Sequence, residues 1–125
     1  ISGFVAAESR REIKPLLKQL VGDPGLINRK MIDDILKFKR LDGVTEALTE
    51  ISAGFLSGDK QTVDLRGELG GLSMPVNVIW GSEDRIIPAS HANDLPGNVT
   101  VNVLEGFGHL VQLEAASDVN RLIQS

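Results

Sequence analysis

The stretch Val76-Asn77-Val78-Ile79-Trp80-Gly81-Ser82-Glu83-Asp84-Arg85-Ile86-Ile87-Pro88 decides the fold. Its first five residues are β-branched or aromatic apart from Asn77, and they read as a buried strand. Gly81 breaks that strand, and a short acidic loop follows, closed by Pro88. Downstream, Pro88 to Asp94 reads as a short helix and Pro96-Gly97-Asn98 as a turn. Val99, Val101 and Val103 then alternate with Thr100 and Asn102, the pattern of a strand with one buried and one polar face. That strand ends in Gly106-Phe107-Gly108-His109, and a last helix starts near Ser117-Asp118, carrying Val119, Leu122 and Ile123. The order strand–helix–strand–helix implies two parallel strands joined by a right-handed crossover.

Upstream of Pro75 the texture is helical. Ser9-Arg10-Arg11-Glu12 is a capping box. Ile13, Leu16, Leu17, Leu20 and Val21 follow at helical spacing up to Gly22, with Pro15 either kinking the helix or restarting it. Asn28 caps a second helix, with Met31, Ile32, Ile35 and Leu36 inward and Arg29, Lys30, Lys37, Lys39 and Arg40 largely outward. Asp42 is placed to cap a third, carrying Val44, Ala47, Leu48, Ile51 and Phe55. Residues 59–73 read as a short helix over Val63 to Leu69 and a linker. The expected organisation is a helical lid or cap segment over 1–72 and a βαβα segment over 73–125.

Functional groups in open α/β sheets gather at the carboxyl ends of the strands, where Asp84 and His109 both fall. A carboxylate beside an imidazole fixes its tautomer, and the imidazole can then take a proton from a nucleophile and return it to a leaving group. Taken singly, Asp84 reads as a turn acid and His109 as a structural histidine. At two consecutive strand ends they read better as the acid and base of one site. Glu83 is the neighbouring candidate acid and His91 a second histidine, without a group nearby in sequence to orient it. Asp33-Asp34 and the Glu8–Glu12 pair read as solvated faces rather than metal ligands.

Pro75-Val-x-Val-Ile-Trp-Gly-x-x-Asp84 followed by Gly106-x-Gly-His109 resembles the C-terminal part of the α/β-hydrolase superfamily. The resemblance implies a helical lid segment followed by the last two parallel strands and helices of that fold. It also implies that Asp84 is the acid and His109 the base of a catalytic triad whose chain order is nucleophile, acid, histidine. A narrower similarity runs through Trp80 to His91, Leu95 to Val101, Val103 to His109, Val119 to Ile123, Ile13-Lys-Pro-Leu-Leu17 and Lys37-Phe-Lys-Arg-Leu-Asp-Gly-Val44. These segments are similar to the hydrolase-fold dihydrolipoyllysine acetyltransferase subunits of acetoin dehydrogenase complexes. What this implies is acetyl transfer between dihydrolipoyl-lysine and coenzyme A, within a dehydrogenase complex. Lipoyl-lysine and coenzyme A would be substrates of the whole protein, and this segment is expected to bind no cofactor of its own. Fold alone does not fix chemistry, so a serine-dependent hydrolase of an ester or carbon–carbon bond, and a non-catalytic interaction module, stand beside it.

The chain departs from the family at one point. No strand–Gly-x-Ser-x-Gly–helix elbow occurs. Glu50-Ile-Ser52-Ala-Gly54 lacks the first glycine, and Gly71-Leu-Ser73-Met-Pro75 lacks the second. The expectation is a fragment of a longer enzyme, inactive alone because the nucleophile is missing. Starting at Ile1 without methionine, and without a charged region before an apolar run, the chain is not expected to carry a signal peptide.

Composition sets the remaining bounds. With 125 residues, 42% of them apolar, the chain suits one modest core. A net charge of −4 and no basic stripe argue against nucleic acid, and no apolar run reaches the roughly 20 residues of a membrane span. The absence of cysteine excludes disulfides, thiolate metal sites and a cysteine nucleophile, and fits a cytoplasmic protein. Arg10, Arg11, Lys14 and Lys18 could meet a coenzyme A phosphate, although a solvated helix face is the default reading. The unpaired side of the Val76–Trp80 strand leads us to expect a homo-oligomer.

Overall fold

The computed structural model describes residues 1–58 and 60–124. The first residue of the 59–73 stretch and the last of the 73–125 segment lie outside the described residues. The chain divides into two compact units, residues 1–17 with 27–64, and residues 18–26 with 65–125.

The first unit is helical. Its elements are α1 (Ser2–Ala6), α2 (Arg10–Lys18), α3 (Arg29–Lys39) and α4 (Val44–Phe55). A two-residue antiparallel ladder, β1 (Leu56–Ser57) with β2 (Lys60–Gln61), closes it. The capping box forms as expected. Glu12 Oε2 accepts from Ser9 N–H at 3.0 Å and from the Ser9 hydroxyl at 2.7 Å. Asn28 Oδ1 accepts Met31 N–H at 2.9 Å and starts α3. The core comprises Ala7, Ile13, Leu17, Ile27, Ile32 and Leu36.

Several local expectations in this unit need correction. Helix α2 runs through Pro15 without restarting and stops at Lys18, short of the Val21 end that the apolar spacing suggested. Leu20 and Val21 continue that spacing because they are buried or half-buried beyond the helix, not because they are helical. Asp42 does not cap α4. The N-cap is Gly43 at φ +81°, a left-handed conformation that glycine adopts without strain. No residue of α4 is buried, and Ile51 is 60% exposed, so its apolar positions do not mark a core face of this unit. Lys39, read as outward, is buried. Its ammonium donates to the carbonyls of Phe4, Val5 (3.0 Å) and Ala7 (2.6 Å), and lies 4.9 Å from the centre of the Phe4 ring. The lysine thereby satisfies carbonyls left unpaired at the end of α1.

The second unit carries the sheet. β3 (Val76–Gly81) and β4 (Val99–Leu104) pair in parallel from Val76 opposite Val99 to Gly81 opposite Leu104. This is the parallel pair expected from the βαβα order. Between them lies a 3₁₀ turn at Ala89–Ala92, where a short helix was expected, and a turn in which Val99 N–H donates to Pro96 O at 2.9 Å. The helix expected over Val63 to Leu69 is instead a 3₁₀ segment at Arg66–Gly71. After β4 come α5 (Val111–Glu114) and α6 (Ala116–Gln124), with Val111, Ala115 and Val119 buried.

The strands are less buried than their composition implied. Val76, Val78, Trp80, Val99, Val101 and Val103 share one face by register and side-chain alternation. On it Val101 is 37% and Val103 43% exposed. The opposite face is more polar. There Asn102 Nδ2 donates to Asn77 Oδ1 at 2.7 Å, and Asn77 Nδ2 donates to Leu122 O of α6 at 3.0 Å. An alternating pattern records which face is apolar. Burial requires a layer packed on that face, and within this unit α6 bonds to the polar one.

Candidate functional site

Asp84 and His109 meet in the second unit. His109 Nδ1 lies 2.9 Å from Asp84 Oδ2. Three further donors fix the carboxylate. Ile86 N–H and Ile87 N–H reach Oδ1 at 2.8 and 3.0 Å, and Trp80 Nε1–H reaches Oδ2 at 3.1 Å. The indole N–H is shared with Ile87 O, at 3.0 Å. The two amide bonds close the loop after Gly81 around the side chain that the loop presents, as short acidic side chains commonly do. The Asp84 side chain is 3% exposed and that of His109 33% exposed, so a buried acid backs an accessible imidazole.

The electrostatics follow from this geometry. Burial acts to raise the Asp84 carboxyl. Hydrogen bonds from His109, Ile87 and Ile86, with the charge of His109, outweigh burial and hold the group below the usual carboxylate range. Asp84 is therefore ionised near neutrality. An ionised carboxylate only accepts, so Nδ1 of His109 carries a proton, and in the neutral imidazole Nε2 is the acceptor.

Backbone packing sets where these side chains start. Gly81 is buried at the end of β3, and a Cβ there would lie 2.2 Å from Gly108 O and 2.3 Å from Phe107 O. Only glycine allows the acid strand to pass so close to the histidine loop. Glu83 N–H donates to Phe107 O at 2.9 Å, Ser82 N–H to Leu104 O at 3.0 Å, and Gly106 N–H to Ser82 Oγ at 2.9 Å. These bonds stitch the two loops together along their length.

The other candidates stand apart from this pair. Glu83 is exposed, with its backbone rather than its carboxylate engaged. His91 is exposed on the 3₁₀ turn and is not among the partners of Asp84. Asp33 pairs with Arg10, and Asp34 with Lys30 at 2.6 Å. Among the described residues no group of three or more His, Cys, Asp or Glu could hold a metal ion. None of the described helices is long and apolar enough to cross a membrane. Of the basic group, Arg10 is engaged with Asp33, and Arg11 and Lys14 are exposed.

Sequence reading missed two members of the site's support. One is Trp80, the chain's single tryptophan, four residues before the acid. A partly buried indole N–H needs an acceptor, and the tight loop after Gly81 brings Asp84 back to it. The other is Glu114, whose carboxylate binds three backbone amides. Nothing local distinguishes it from an ordinary helix acid.

No protein-family model matches the chain. The chain is 47% identical over 122 residues to the dihydrolipoyllysine-residue acetyltransferase component of the acetoin cleaving system of Cupriavidus necator, covering 98% of this chain. It is 50% identical over 121 residues to the component of the same description from Pseudomonas putida, covering 97% of this chain. The fold is similar to that of a meta-cleavage product hydrolase from Pseudomonas fluorescens IP01, with a TM-score of 0.78 at 20% identity over 94% of this chain and 44% of that one. The chain has the fold of the C-terminal part of an α/β-hydrolase. It spans about a third of the length of the two acetyltransferase components. The acid loop follows β3 and the histidine loop follows β4, at the carboxyl ends of the two paired strands.

Proposed function

We propose that this chain supplies the acid and the base of an acyl-transfer site, and that the acyl group is acetyl, passed between dihydrolipoyl-lysine and coenzyme A. The observation that carries the acid–base part is the 2.9 Å contact between a buried, ionised Asp84 and the accessible imidazole of His109. The choice of acetyl transfer rests on 47% and 50% identity to acetyltransferase components of acetoin cleaving systems. The names of those components also support membership in a multi-subunit assembly.

In this reading Nε2 of His109 removes the hydroxyl proton of a serine as its oxygen attacks the acyl thioester carbon. The imidazolium so formed is stabilised by the Asp84 carboxylate. When the tetrahedral adduct collapses, the carbon–sulfur bond breaks and His109 returns the proton to the departing thiolate. The acceptor thiol then repeats the cycle in reverse: it loses its proton to His109 and takes the acyl group, and the serine hydroxyl is restored. The serine is not provided by a Gly-x-Ser-x-Gly elbow in these 125 residues. We therefore expect the chain by itself to show no triad-dependent turnover.

The test uses the protein extended upstream to include a nucleophile elbow, assayed for coenzyme A-dependent acetyl transfer to a dihydrolipoyl substrate and for hydrolysis of small esters. Transfer that disappears in His109→Ala supports the proposal. Ester hydrolysis without transfer assigns the same pair to a hydrolase. Esterase turnover by the 125-residue chain that is lost in His109→Ala would refute the expectation that the chain alone is inactive.

A further inference from the structure

The structure assigns Glu114 a positioning role: its carboxylate holds the histidine loop at the distance from which His109 meets Asp84. Oε1 accepts Gly108 N–H at 2.8 Å. Oε2 accepts Gly22 N–H at 2.8 Å and Asp23 N–H at 3.4 Å. One carboxylate thus ties the residue before His109 to the 22–23 turn. The residue after His109 is tied to the same segment directly, since Leu110 N–H donates to Leu20 O at 3.0 Å. The backbone of His109 is held on both sides by residues 20–23.

No side chain could substitute as a spacer between these segments. A Cβ on Gly22 would lie 2.3 Å from Gly106 O, and one on Gly108 would lie 2.6 Å from Gly22 N. The two backbones touch, and three N–H groups converge on one acid from two separate loops. Backbone amides that lose a carboxylate acceptor must find other partners, and here that means moving apart. The His109 side chain is one-third exposed, so its reach to Asp84 depends on where its backbone is held. Glu114 acts on the geometry of the pair, and its catalytic meaning rests on the acyl-transfer reading above.

The experiment is ¹⁵N–¹H NMR of the imidazoles in the 125-residue chain at neutral pH, with thermal unfolding measured in parallel. The chain has two histidines, so His91 serves as an internal control in each spectrum. The wild type should show a protected His109 Nδ1 proton. Glu114→Ala should lose that signal or exchange it roughly tenfold faster or more, the scale of one hydrogen bond to a charged acceptor. Glu114→Gln keeps one acceptor oxygen and should fall between. Val119→Ala, a core truncation on α6, should lower the unfolding temperature and leave the His109 signal intact. If Glu114→Ala does not fold, Glu114→Gln decides. An unchanged Nδ1 proton in the folded Glu114 variant, accompanied only by a lower unfolding temperature, overturns the positioning role and leaves the pair standing. A wild-type chain without a protected Nδ1 proton overturns the pair, and the role of Glu114 with it.

Discussion

Asp84→Asn distinguishes an acid held by charge from one held by packing. The wild-type carboxylate accepts from four donors, two on each oxygen. Asparagine has nearly the same shape but a single acceptor oxygen. If that oxygen stays on the Ile86 and Ile87 amides, its NH2 faces the Trp80 indole and His109. The indole N–H then keeps only Ile87 O, and His109 has to switch tautomer to accept rather than donate. Hydrogen bonds to a charged group are worth about 1.5–3 kcal/mol each and a neutral one about 1 kcal/mol, so two lost and one neutral bond regained predict a deficit of about 2–5 kcal/mol at pH 7. The deficit must also depend on pH. The folded carboxyl lies below its ordinary value, because bonds from its partners outweigh its burial. A depressed group contributes stability that is complete above its unfolded pKa, near 3.9, and lost as pH falls through the folded value. The gap between wild type and variant should be full above about pH 5 and shrink below about pH 4. Urea unfolding followed by circular dichroism at pH 7 and pH 3 measures both quantities. A gap under about 0.5 kcal/mol at pH 7, the range of an ordinary surface substitution, or a gap unchanged at pH 3, would refute the reasoning.

Three other outcomes are expected. Gly108→Ala places a methyl group against the backbone of Val21 and Gly22, which cannot yield as a flexible side chain would, and should cost about 1–3 kcal/mol in chemical unfolding. Gly97→Ala, with open space around it, is the control and should stay within about 0.5 kcal/mol of wild type. Lys39→Met removes the donor to three carbonyls while keeping most of the apolar stem, and should destabilise by about 1–3 kcal/mol, with amide exchange fastest at Ser2–Ala6. Val101→Lys with Val103→Lys alters two exposed positions on the apolar sheet face. It should leave monomer stability within about 1 kcal/mol while reducing any self-association seen by sedimentation, and an unchanged sedimentation profile in an associating chain would exclude that face as the contact.

The sheet and its loops could be read from sequence because their signals are local. Val76–Trp80 is a short β-branched run stopped by a glycine, and Val99–Val103 alternates with period two. Asp84 and His109 stand just past these stops, so their nearness follows from parallel pairing alone. The capping acceptors of α2 and α3 were legible for the same reason, each acting within three residues. What could not be read was whatever depends on a distant partner. Lys39 looks outward in its helix until the carbonyls of Phe4, Val5 and Ala7 come to it from more than thirty residues away. The apolar spacing of Leu20 and Val21 beyond Lys18 cannot be told from helix, because an apolar residue is apolar in either conformation. Glu114 meets Gly22 across 92 positions, and no periodicity records such a bond. Exposure of Val101 and Val103 depends on which layers pack on the sheet, and the pattern of a strand does not contain that information.

Gly22, Gly81 and Gly108 bring three stretches of main chain into direct contact around the histidine. The coordinates of the base are therefore fixed by peptide groups, whose size is the same for every residue. Exposed side chains at Glu83, Arg85 and Glu105 take no part in that contact. Replacing those side chains should therefore leave the imidazole where it is.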